Sequence, residues 1–141
     1  MLGLIFTGLC LNTAQGHGNI HNVEEAAHEN EDKLVILWTS DDPYLAERMV
    51  LMYGHAAKTA GWFEEVTLII WGPSAKLAAE NQPVREKLFQ MQEDGVQIEA
   101  CVVCADAYEV TQALQELGFD VKPMGRPLSD YLKAGIKVLT F

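Results

Sequence analysis

Cys101 and Cys104 stand three residues apart in the stretch Glu99-Ala100-Cys101-Val102-Val103-Cys104-Ala105-Asp106. Thiol motifs recur at this spacing where a strand turns into a helix. Such a pair is open to nucleophilic attack, sulfur transfer or disulfide exchange, all of which run through the thiolate. A place in the first helical turn favours that anion, because unpaired backbone N–H groups and the helix dipole lie there. Glu99 and Asp106 oppose it, since a carboxylate disfavours a second negative charge nearby. The local sequence holds no Lys, Arg or His to offset them. The same two residues would also serve as small buried hydrophobes. A single Cys-x-x-Cys supplies only half of a zinc site, so no metal is expected.

The elements that must position these thiols follow from periodicity. Residues 96–102 read as a strand and the following helix carries Ala107, Val110, Leu114 and Leu117 before Gly118. Upstream, residues 34–39 form a continuous apolar run of the kind buried on both sheet faces. Asp42 offers an N-cap and Pro43 a first helical position. Leu45, Met49, Met52, Tyr53, Ala56 and Ala60 then fall on one stripe that ends at Gly61. The unit repeats: a strand over 66–71, a Gly72-Pro73 turn, a short helix through Ala79, and a helix from Pro83 with Val84, Leu88 and Met91 on one face. An extended piece near Val121, a helix over 127–134 and a strand over 136–141 complete the chain. This alternation predicts an α/β fold: a single-domain three-layer sandwich around a mostly parallel sheet of about five strands, with right-handed crossovers.

Ligands of such sheets collect outside the carboxyl ends of the strands. The loops meeting there nominate Ser40, Asp41, Asp42, Gly72, Pro73, Met124 and Gly125 as binding candidates beside Cys101 and Cys104. Asp41 and Asp42 could hold a divalent cation, as in phosphoacceptor domains of similar architecture. The third strand, however, ends in cysteine where that scheme needs aspartate, and N-capping accounts for Asp42. The first loop has no glycine, so it forms no phosphate cradle of the P-loop or dinucleotide type, and no cofactor is expected. Trp38, Tyr53, Trp62, Phe63 and Trp71, with Met49 and Met52, exceed the needs of one small core. The excess suits a subunit interface.

A chain of 141 residues fits one domain. Its formal charge of −10 argues against nucleic acid, whose phosphates require clustered Lys and Arg. Half of that excess lies in residues 1–32, where Glu24, Glu25, Glu29, Glu31 and Asp32 face no Lys or Arg. Residues 1–16 pair an apolar run with a small polar stretch, the h-region and cleavage region of a signal peptide without its basic n-region. They are too short to span a bilayer. Export to the periplasm is the expectation, a cytoplasmic protein the alternative, and Cys10 is then absent from the mature fold. Residues 17–32 read as a solvated tether whose His17, His21 and His28 match no defined metal spacing, and residues 33–141 as the domain.

With these residues in view, the domain resembles the DsrE/DsrF-like family, also called the YchN-like fold. The matching features are the Thr39-Ser40-Asp41-Asp42-Pro43 loop, the Gly95-Val96 to Ala107 segment with its two cysteines, and the ending Met124-Gly125, Pro127-Leu128, Tyr131-Leu132 and Lys137-Val138-Leu139. The resemblance implies a small subunit that assembles into trimers or hexamers and carries sulfur as a cysteine persulfide between donor and acceptor proteins. It places the family's acceptor cysteine on Cys101, with Cys104, shared by some relatives, as a resolving thiol. Where sulfur-relay members have a basic helix and a glycine eight residues past the cysteine, this chain has acidic residues and Glu109.

Overall fold

The computed structural model describes residues 30–141. The expected leader, most of the expected tether, Cys10 and the three N-terminal histidines lie outside the described residues. Five strands form: β1 (Lys33–Trp38), β2 (Glu65–Ile70), β3 (Gln97–Cys101), β4 (Asp120–Lys122) and β5 (Lys137–Thr140). They pair in the order β4-β3-β2-β1-β5, and every pairing is parallel. Parallel neighbours need crossover helices. α1 runs through Pro43–Leu45, a π-helical stretch Ala46–Val50, and Leu51–Thr59. α2 (Ser74–Glu80), α3 (Gln82–Glu93), α4 (Val102–Ala107), α5 (Thr111–Glu116) and α6 (Gly125–Lys133) follow.

Strands β1 to β4 step one way across the sheet, and right-handed crossovers put α1 to α5 on one face. β5 returns to the far side of β1, which leaves α6 alone on the other. The period-2 alternation of side chains divides the core accordingly. Leu34, Ile36, Trp38, Leu68, Ile70 and Leu88 belong to the large cluster under α1 to α5. Val35, Ile69, Cys101 and Met124 form the small cluster, closed by the half-buried Leu128 and Tyr131 of α6.

The expected strands, the Asp42 cap that opens α1, and the buried Val84-Leu88-Met91 face all stand; α3, expected from Pro83, starts at Gln82 because Asn81 caps it. Two helical details differ. The buried face of α1 is Ala46, Val50, Leu51, Gly54 and Ala57, whereas Met49 and Met52 are 47% and 55% exposed. The cause is close seating: a Cβ on Gly54 would stand 2.9 Å from Ile36 Cδ1, so the helix meets the sheet through its smallest residues, which hydrophobicity does not single out. The helix expected after Cys101 is also broken into α4 and α5. Glu109 takes a left-handed φ of 58°, with Val110 N–H bonded to Ala105 O and Glu109 N–H to Asp106 O. This is the Schellman pattern, normally closed by glycine.

Candidate functional site

β3 delivers Cys101 at its last position and α4 raises Cys104 one turn later. Both are free thiols. Cys101 is 4% exposed, packed among Val35, Ile69 and Met124, and Cys104 is half-buried against both core clusters. The two side chains share the small cluster, Cys101 within it and Cys104 packed against it. Burial pushes the Cys104 thiol up; a backbone hydrogen bond from Gly72 pulls the other way, and neighbouring Cys101 adds to the rise. Cys104 is therefore a protonated thiol at neutral pH.

Gly72 reaches this position because it adopts a left-handed φ of 70° directly after β2. Ser74 fixes the turn: fully buried, its hydroxyl donates to Trp38 O at 2.7 Å and accepts from Trp71 N–H at 3.0 Å. Pro73 occupies the position just before α2. Met124, 1% exposed, backs Cys101 at the entry to α6, whose first residue is the exposed Gly125. The structure thus gathers Cys101, Cys104, Gly72 and Met124. Ser40, Asp41 and Asp42 belong elsewhere. Asp42 Oδ1 caps α1 by accepting from Tyr44 N–H at 2.8 Å and Leu45 N–H at 3.3 Å, and Ser40 Oγ accepts from Asp42 N–H. Asp41 faces a groove of about 360 Å³ with Lys76, Leu77, Glu80 and Asn81. Among the described residues no three His, Cys, Asp or Glu side chains stand close enough to hold a metal, which leaves the Asp41–Asp42 cation scheme without its third ligand.

The winding of the sheet reverses between β1 and β5, the usual ligand crevice of such folds. Here Thr39 donates both its amide, at 2.8 Å, and its hydroxyl, at 2.6 Å, to Phe141 O. The thiols lie two strands away, on β3.

Three residues beside the thiols form a cluster that no local reading reveals. Glu99 shares the Cys101 face of β3 and is buried. Lys122, the register partner of Cys101 on β4, donates to Glu99 Oε1 at 2.7 Å and to Asp120 Oδ2 at 2.5 Å. Tyr131 of α6 donates to the Glu99 carboxylate at 3.2–3.3 Å. Burial alone would lower the Lys122 pKa, but the Asp120 and Glu99 carboxylates outweigh it and hold the ammonium above the usual lysine range. Burial, then the charge of Glu99, pushes the Tyr131 phenol up. The carboxylate that opposes a thiolate in the sequence is thus paired across the sheet. Asp106, the other, accepts from the Thr111 hydroxyl and ties α4 to α5.

Fold and site together define a doubly wound α/β protein with an unpaired Cys-x-x-Cys at the carboxyl edge of its sheet. The DsrE/DsrF-like family model matches residues 32–141, and the chain belongs to that family. It is also similar to the solved structure of a conserved protein of unknown function from Bacteroides thetaiotaomicron, at 39% identity and a TM-score of 0.76, covering 78% of this chain and 95% of the other. Comparison with curated proteins gave no match.

Proposed function

We propose that this protein is a small homo-oligomeric thiol protein in which Cys101 takes up sulfane sulfur and Cys104 resolves it. The observation that carries this reading is that two free thiols share one apolar cluster at the strand-to-helix turn of a DsrE-like fold. In the loading step, the Cys101 thiolate attacks the outer sulfur of a donor persulfide, forming Cys101–S–SH and releasing the donor as its thiol. In the resolving step, Cys104 gives up its proton and attacks the inner sulfur of Cys101–S–SH, giving the Cys101–Cys104 disulfide and expelling hydrosulfide, which takes up a proton and leaves as hydrogen sulfide. Without resolution, the persulfide passes to an acceptor thiol.

Intact-mass spectrometry after exposure to a polysulfide donor tests this. One added sulfur is expected on the wild type, none on Cys101→Ser, and a longer-lived adduct on Cys104→Ser. Uptake that survives Cys101→Ser sinks the reading. The 4% exposure of Cys101 among apolar neighbours favours a second reading, a non-catalytic oligomeric binding subunit with structural cysteines. In that case both serine variants keep full function. Export rests on residues 1–16; N-terminal sequencing of the protein from a periplasmic fraction decides whether the leader is removed.

A further inference from the structure

A cavity of about 440 Å³ on the outer side of α1 and α3 is independent of the thiols. Its volume lies in the range of small-molecule sites. Lys87 Nζ stands 2.5 Å from His55 Nδ1, and His55 Nε2 stands 2.6 Å from Asp94 Oδ2. An ammonium only donates, so the hydrogen bonds assign Nδ1 as acceptor and put the ring proton on Nε2, where it goes to Asp94. Both ring nitrogens are then occupied. His55 acts as a brace that holds the Lys87 ammonium in the cavity wall with one N–H engaged and two left over.

Glu47 lines the same cavity, and among the described residues it has no ion-pair partner. The π-helical stretch brings it there. At 3.6 residues per turn Glu47 and Met52 would point about 140° apart, but the Leu51 N–H bonds to Ala46 O, five residues back, and the wider turn sets residues five apart on one side. Met52, Ala56 and Pro83 supply apolar wall. A cation, an anion and an apolar surface thus share one cavity without pairing to each other.

We propose that this cavity binds a zwitterionic small molecule of the α-amino acid class, its carboxylate on Lys87, its ammonium on Glu47 and its apolar side chain on Met52, Ala56 and Pro83. Isothermal titration calorimetry of the full-length protein with norleucine, hexanoate and pentylamine tests the charge requirement. Saturable binding of norleucine is expected, with hexanoate and pentylamine each at least about tenfold weaker. Lys87→Met and the exposed Glu47→Gln should each weaken norleucine by about tenfold, while Cys101→Ser leaves it unchanged. Absence of saturable norleucine binding, hexanoate binding as tightly as norleucine, or indifference to Glu47→Gln overturns the proposal.

Discussion

Glu99 is a carboxylate placed where a hydrophobe would fit, 6% exposed in the middle of a strand. A buried charge persists only when paired and hydrogen-bonded, and its partners come from 23 and 32 residues further along the chain. This is why the residue reads in sequence only as an unbalanced negative charge: strand register, which sets Lys122 beside Cys101, leaves no local trace. The cluster has a pH signature. Cys104, Tyr131 and Lys122 all hold their protons more tightly than their usual values of 9.0, 10.0 and 10.5. Above each of those values the unfolded chain has lost a proton that the folded state still binds, so stability falls as pH rises. Unfolding free energy measured in urea should therefore be flat near neutral pH and decline from about pH 9 upward. Lys122→Met should shallow the later part of that decline and Cys104→Ser the earlier part. An alkaline slope unchanged in both variants would mean that these groups titrate alike in the folded and unfolded states.

At the level of elements, β1 and β2 are legible because each is an almost continuous apolar run, and the start of α1 because Asp42 caps it and Pro43 follows. What periodicity misses is conformational. Glu109 occupies the left-handed closing position of α4, where a side chain costs about 1 kcal/mol that glycine does not incur. Glu109→Gly should raise stability by roughly that amount, measured as a shift in the urea midpoint; an unchanged or lowered midpoint would show that the turn is set by other contacts. α6 makes the second case. It has no fully buried residue, yet it is the helix over Cys101, held by Leu128 packing and by the Tyr131–Glu99 hydrogen bonds. Loss of one such bond is worth about 1 kcal/mol, so opening of α6 should become about fivefold more frequent in Tyr131→Phe. Iodoacetamide labelling of Cys101, followed by peptide mass spectrometry, should accelerate by that factor. An unchanged rate would show that the thiol is reached by another route.

At the scale of the molecule, among the described residues five helices cover one sheet face and one covers the other, and large apolar side chains stay in solvent: Trp62 at 57%, Leu132 at 58%, Val103 at 69%. The aromatic and methionine excess legible in the composition is therefore divided, with Trp38 sealed in the core and Met49, Met52 and Trp62 outside it. Homo-oligomerisation through such surface, as proposed above, sets two forces against each other. Apolar burial favours association, while every chain brings a formal charge of −10, and like-charged subunits repel. Salt screens the repulsion, with a Debye length near 10 Å at 0.1 M, and leaves the apolar contribution intact. Light scattering behind a sizing column should therefore find the trimer or hexamer more fully assembled at high ionic strength, and dissociating as salt is lowered. Leu132→Glu, which adds charge on the thinly covered face, should move the transition to higher salt. Dissociation by salt instead would mean that ion pairs hold the subunits together. An oligomer indifferent to Leu132→Glu would place the contact on the α1 side, around Met49 and Trp62.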